Sequence, residues 1–191
     1  TNPFLYDLKL TLIKEGKVVD EVSSYFGMRK ISMGRDQEGY MRILLNNEII
    51  YQLGPLDQGY WPDGILTAPS DEALRYDIQK TKDFGFNMIR KHVKVEPARW
   101  YYHCDQLGML VWQDMPNGDR TPLWQNKTYF DASELKRSPE SEANFRKEWK
   151  NIMDALRSHP SIVCWVPFNE GWGQFKTEEI VQWTKTYDPT R

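Results

Sequence analysis

The chemistry this chain could carry centres on Glu170. Residues 161–174 read Ser-Ile-Val-Cys-Trp-Val-Pro-Phe-Asn-Glu-Gly-Trp-Gly-Gln. The apolar, partly β-branched run 162–166 predicts a strand buried on both faces. It breaks at Pro167 and is followed at once by Asn169, Glu170 and a loop rich in glycine and tryptophan. A carboxyl just past the end of such a strand lies at the rim of a sheet, where α/β folds keep their reactive groups. It can move a proton at working pH if its surroundings raise its pKa. Phe168 and Trp172 are the neighbours expected to supply that desolvation, Trp172 as an apolar floor. Taken alone, the stretch reads equally as a strand end carrying an ordinary exposed Glu.

The elements before it decide between these readings. Residues 5–13 alternate, with Tyr6, Leu8, Leu10 and Leu12 on one face, and predict a half-buried strand that makes a hairpin with 18–26 across the turn Lys14-Glu15-Gly16-Lys17. A second hairpin is expected from 41–45 and 48–53 across Asn46-Asn47. The pattern then changes to helices and strands in alternation. Ser70 reads as an N-cap followed by acidic residues in the first turn, with Gly85 as the stop. Residues 86–90 form a strand, Pro97 opens a helix that ends at Gly108, and 109–112 form the next strand. The stretch from Asn117 to about Arg137 has no periodicity, and loops of that length are usually functional or disordered. Ser138-Pro139 starts a long helix, 162–166 is the fourth strand, and Thr177 caps a last helix. From about residue 42 the order is β-α-β-α-β-α-β-α, which predicts a parallel sheet with right-handed crossovers. Asp57, Arg90, His92, Asp114 and Glu170 each fall at or just after a strand end. That placement matches the active face of a (β/α)8 barrel, which normally runs to roughly 250 residues; four βα units make half of one.

Composition narrows the classes. The 25 basic and 27 acidic residues, a net charge of -2 and the lack of a basic cluster argue against an electrostatic nucleic-acid binder. No apolar run is long enough for a membrane span, and no signal peptide is expected in this stretch, which starts at Thr1 without an initiator Met; the compartment stays open. Three histidines without ligand spacing give no metal site, and no cofactor is expected. Cys104 and Cys164 lie in apolar patterns and read as buried free thiols. Trp100, Trp149 and Trp183 lie on helix faces and read as packing. His159, at the start of the fourth strand, falls on the opposite, structural face of the barrel.

Four motifs then resemble one family. Phe84-Gly85-Phe86-Asn87-Met88-Ile89-Arg90-Lys91-His92 is similar to the GFNxIRxxH segment of glycoside hydrolase family 2, which includes β-galactosidases, β-mannosidases and β-glucuronidases. Residues 105–114, Asp-Gln-Leu-Gly-Met-Leu-Val-Trp-Gln-Asp, resemble its CDxLGxLVWxD/E segment. Arg157-Ser158-His159-Pro160-Ser161-Ile162 through Asn169-Glu170 resembles RxHPSIxxWxxxNE. Tyr25-Phe26-Gly27-Met28-Arg29-Lys30 resembles the strand in which the family's immunoglobulin-like sandwich hands over to its barrel. Each motif alone is modest, and four in order are specific.

The resemblance implies a retaining β-glycosidase acting on oligo- or polysaccharides. The expected domains are the last strands of an immunoglobulin-like β-sandwich over 1–33 and the N-terminal half of a TIM-barrel catalytic domain over 34–191. Glu170 matches the general acid/base, and Asn169 the amide that binds the sugar hydroxyl beside the anomeric carbon. Arg90 and His92 match residues lining the sugar subsite; Asp114 stands where members vary between Asp and Glu. Asp57 and Trp61, in the first βα loop, and Trp172 are further candidate sugar contacts. Retention needs two carboxyl groups about 5–5.5 Å apart; the family's nucleophile is a Glu on a seventh strand. The chain alone is therefore expected to be inactive and, with open sheet edges, to self-associate. The alternative is a non-catalytic carbohydrate-binding module whose aromatics stack on sugar rings. A different retaining barrel glycosidase with the same Asn-Glu pair is a third reading, and the leading hairpins argue against it.

Overall fold

In the computed structural model, which describes residues 3–119 and 134–191, the chain begins with the predicted hairpin. Strands β1 (Tyr6–Lys14) and β2 (Lys17–Phe26) pair antiparallel from Tyr6↔Phe26 to Lys14↔Lys17. Glu15 and Gly16 both take positive φ, the geometry that lets a two-residue loop follow strand twist. The expected half-burial is corrected: β1 is exposed along its whole length, Leu8, Leu10 and Leu12 included. The alternation is present, but alternation buries a face only when another layer lies against it.

Three further strands, β3 (Ile31–Arg35), β4 (Met41–Leu45) and β5 (Glu48–Ile49), make an antiparallel sheet in that order. The sequence reading missed β3 and made β5 too long. β3 offers only Ile31 and Met33 as apolar signal, and its Gly34 looks like a breaker. In fact the Leu44 side chain lies over Gly34, where a Cβ would meet it at 3.0 Å. The expected division between residues 33 and 34 falls inside β3.

The parallel sheet starts at β6 (Leu56–Asp57) and continues through β7 (Met88–Lys91), β8 (Leu110–Asp114) and β9 (Ile162–Val166), in the order β6-β7-β8-β9. Its first strand therefore follows the second hairpin rather than belonging to it. Two residues are too short to show a period, yet Gly54 marks the approach, since a Cβ there would run into the Met88 carbonyl. Helices α1 (Asp71–Asp83), α2 (Ala98–Leu107), α3 (Pro139–Leu156) and α4 (Thr177–Tyr187) follow the strands in turn. Ser70 and Ser138 cap α1 and α3 as expected, accepting from Ala73 N and Ser141 N at 3.2 Å. Pro97 sits at the N-cap of α2 rather than inside it, and Lys176, not Thr177, is the N-cap of α4. Most of the long connection expected between β8 and α3, residues 120–133, lies outside the described residues.

Side chains alternate across each strand. Ile89, Val111, Ile162 and Trp165 pack against Ile78, Trp100, Cys104, Phe145 and Trp149 on the helix side. Met88, Leu110 and Val163 face the other way and meet Ile31, Leu45 and Ile50 from the antiparallel sheet. This second face carries Arg90 and Asp114 two and four residues further along. The helices thus set the wall, the β3–β5 sheet packs under its interior, and the strand ends above are left for polar groups.

Candidate active site

Arg90, Asp114 and Asn169 meet at the C-terminal ends of β7, β8 and β9. Arg90 Nε and Nη2 donate to Asp114 Oδ1 and Oδ2 at 3.0 and 2.9 Å, a bidentate fork. Arg90 Nη2 also donates to Asn169 Oδ1 at 2.9 Å. Because a guanidinium has no acceptor, the amide atom facing it is the oxygen, and Asn169 Nδ2 is left as a donor. Asp114 is 0 % exposed and accepts a third bond from Val93 N at 3.2 Å. Cys164 lies beside this pair. Burial first, and the Asp114 charge second, push its thiol up to about 11, so it stays protonated at neutral pH.

Glu170 sits one residue beyond Asn169 on a tight turn. Trp172 N donates to Asn169 O at 2.8 Å, and the two central residues, Glu170 and Gly171, have φ of 50° and 79°. Positive φ at both positions defines a type I′ turn, which favours Asn and Gly. The Glu170 side chain is exposed and has no polar partner among the described residues. Phe168, expected beside it, packs into the core instead. Its ring is 5.3 Å from that of Phe145 and 5.8 Å from that of Phe175, in the core. Trp172, 40% exposed, does stand on the rim.

The remaining expected residues divide. His92 follows β7 directly and is half-buried; its N–H donates to Asp57 O at 2.9 Å, and its ring has no polar partner among the described residues. Asp57 is not brought to the Arg90 cluster. Its Oδ2 is 2.6 Å from Lys91 Nζ and its Oδ1 accepts from Gly59 N at 2.7 Å. Alternation explains this, since Lys91 points to the face opposite Arg90. Trp61 is half-buried against the helix-side core.

Sequence reasoning missed the support beneath the rim. Lys91 is 1% exposed, lies 4.4 Å over the Trp100 ring and also reaches Glu96 Oε1 at 2.9 Å. Glu96 Oε1 is 2.8 Å from Lys94 Nζ. Tyr101 Oη donates to Gln113 Oε1 at 2.6 Å, and Gln113 Nε2 donates to the carbonyls of Lys94 and Asp114 at 2.7 and 2.8 Å. A Lys-x-x-Lys-x-Glu run after a strand was the available signal, but charged residues at that spacing usually mean a solvated loop. Among the described residues no group of three or more His, Cys, Asp or Glu could hold a metal ion.

Four consecutive parallel strands with intervening helices, and a polar cluster at their C-terminal ends, define a segment of an α/β barrel of the (β/α)8 class. Comparison with known proteins carries this further. A family profile described as "Glycosyl hydrolases family 2, TIM barrel domain" matches residues 66–191, and one described as "Glycosyl hydrolases family 2" matches residues 1–29. The chain belongs to glycoside hydrolase family 2. Over 191 residues it is 30% identical to a candidate beta-glucuronidase of Formosa agariphila and 28% identical to a beta-galactosidase of Psychromonas ingrahamii. All of this chain is matched in each case, and it spans 17% of the length of these curated relatives. A beta-glycosidase from Bacteroides vulgatus, 25% identical, superposes with a TM-score of 0.74 over 98% of this chain and 23% of its own. Parabacteroides merdae beta-glucuronidase, 20% identical, superposes with a TM-score of 0.75 over 99% of this chain and 23% of its own, a likeness of fold.

Proposed function

We propose that this chain supplies the acid/base half of a retaining β-glycosidase. The observation that supports it most is the placement of Glu170 on a strained turn at the β9 rim, beside an Asn169 amide oriented by Arg90. In the proposed reaction the protonated Glu170 carboxyl gives its proton to the glycosidic oxygen as the bond from that oxygen to the anomeric carbon breaks. A nucleophilic carboxylate forms the new bond to the anomeric carbon. Glu170 then takes a proton from water, whose oxygen displaces the enzyme carboxylate. Asn169 Nδ2 donates to the sugar hydroxyl next to the reacting carbon, and Arg90, His92 and Trp172 line the sugar subsite. The relatives' names point to β-galactosides and β-glucuronides as the first substrates to try.

Asp114 is not the nucleophile in this reading. Its oxygens are taken by Arg90 and Val93, and freeing one would leave a half-buried guanidinium or amide short of its acceptor. The nucleophile therefore comes from another strand of the closed barrel, and the 191 residues by themselves do not turn over. We further propose that the β1–β2 hairpin belongs to an immunoglobulin-like sandwich and the parallel sheet to the catalytic barrel, the expected division at 33/34 being displaced by the pairing of β3 with β4.

The test is turnover of aryl β-glycosides by the whole protein and by the 191-residue chain. The whole protein is expected to lose activity about 100-fold or more on Glu170→Gln with a phenyl leaving group, and the chain alone is expected to show no turnover. Glu170-dependent turnover by the isolated chain would sink the division of labour. A whole protein that binds sugar without cleaving it, and loses binding on Trp61→Ala but not Glu170→Gln, would support a carbohydrate-binding module instead.

A further inference from the structure

The loop that carries Glu170 is held from outside its own strand. Three consecutive carbonyls just past the acid, those of Trp172, Gly173 and Gln174, are each bound by the two flanks of the β8–α3 connection. Asn117 Nδ2 donates to Trp172 O at 2.5 Å, and Leu135 N donates to Gln174 O at 2.8 Å. Arg137 Nε and Nη2 both donate to Gly173 O, at 3.0 and 2.8 Å, and Nη2 also donates to Gly118 O at 2.7 Å. The Arg137 side chain is 4% exposed. Its guanidinium carbon lies 5.0 Å from the ring centre of Phe145 and 4.8 Å from that of Phe175, and Nη1 donates to Ser141 Oγ at 3.2 Å. Burial lowers its pKa, with Asp119 and Glu142 acting the other way.

Two details show that the clamp is built rather than incidental. Gly173 has φ of 61°, and a Cβ on it would run into both Arg137 Nη2 and the Gly118 carbonyl, so the close approach requires glycine. Asn117 is buried, and its Oδ1 has no partner among the described residues while its Nδ2 is spent on the acid loop. A buried amide with an idle oxygen is costly to keep; what it contributes here is the donor to Trp172.

We propose that Arg137 and Asn117 are positioning residues for Glu170. By pinning the carbonyls of residues 172–174, they hold the Asn169–Trp172 turn and with it the carboxyl that protonates the leaving group. This rests on the acid/base reading of Glu170. General-acid help matters for a leaving group that must be protonated and hardly at all for one that departs as a stable anion. Loosening the clamp therefore has a signature that general damage to the fold lacks.

The experiment uses the whole protein with phenyl and dinitrophenyl β-galactosides and β-glucuronides. Arg137→Met and Asn117→Ala are each expected to lower kcat/KM about 100-fold on the phenyl substrate and less than about 3-fold on the dinitrophenyl one. Arg137→Lys, which keeps one donor near Gly173 O, restores part of the loss. Equal losses on both leaving groups, or no loss on either, overturn the inference. If Arg137→Met does not fold, Asn117→Ala, which removes only the Trp172 contact, decides it alone. Glu170→Gln is the control. Without the leaving-group contrast in that control, the acid reading fails and takes the inference with it. With the contrast there and absent from the clamp variants, the inference alone fails.

Discussion

At the residue scale, Glu170 occupies backbone that its side chain disfavours. A non-glycine residue held in the left-handed region costs about 1–2 kcal/mol, and at the first central position of a type I′ turn Asn is the favoured occupant. Val93, β-branched and with φ of 52°, is a second such residue, and its N–H caps Asp114. Strained positions of this kind cluster where surroundings hold a functional geometry against local preference. Glu170→Asn should therefore stabilise the chain by about 1 kcal/mol in urea unfolding, while Glu170→Gln leaves stability unchanged within about 0.5 kcal/mol. Equal stability for the two variants would show that the turn stores no strain. The motif carrying Asn169-Glu170 was readable as sequence; the left-handed turn was not, because φ depends on how Trp172 N closes back on Asn169 O.

At the element scale, the joint between hairpin and barrel centres on one carboxylate. Asp105 on α2 accepts from Tyr25 Oη at 2.7 Å and from Ser161 N at 2.9 Å, and lies 2.7 Å from His159 Nδ1. Arg29 adds bonds to the carbonyls of Pro160 and Ile162 at 3.2 and 2.9 Å. This bears out the structural reading of His159. Burial first, and the Asp105 carboxylate next, push the Tyr25 phenol far above its ordinary value. A raised folded-state pKa means stability that is fully present below the unfolded value of about 10 and lost as pH rises above it. Tyr25→Phe should thus flatten part of the alkaline loss of stability, at a cost near neutral pH of about 1–3 kcal/mol for the donor removed from Asp105. Urea unfolding series at neutral pH and about pH 11 read both. Cys104, Cys164 and Tyr101, also raised chiefly by burial, keep the rest of the alkaline slope. An unchanged slope would remove Tyr25 from the joint. On the acid side, burial pushes Asp188 up, but hydrogen bonds from Thr190 and Trp165 and the Arg191 charge outweigh it and leave its pKa lowered. Its contribution is present above the ordinary carboxylate range and fades as pH falls below it.

At the scale of the molecule, the described residues leave apolar surface uncovered. Strands β6 and β9 are the two edges of the parallel sheet. Leu12 and Ile13 on β1 are each 61% exposed, and Val18 on β2 is 60% exposed. Unpaired sheet edges and exposed apolar side chains favour association. The 191-residue chain is expected to show a mass that rises with concentration in sedimentation or light scattering. A clean monomer with a cooperative melt would contradict this.

The sequence by itself determined the order of elements, the parallel sheet and the family. Periods of 3.6 and 2, capping residues and short motifs are local, and a chain carries them wherever it folds. Its failures were also local in cause. β3 and β6 are too short or too weakly apolar to show a period, and the β1 alternation says nothing of what covers it. Only the tertiary structure decided which carboxylates share a site. Asp57 and Asp114 both stand at strand ends, yet one residue of strand phase sends Lys91 and Asp57 to the helix side and Arg90 and Asp114 to the interior. It also joined the loop that follows Glu170, through the Trp172 and Gly173 carbonyls, to Asn117 and Arg137, residues from a stretch without periodicity. That contact depends on two loops meeting at one rim, and the positions that meet there are set by the packing of strands and helices far apart in the chain.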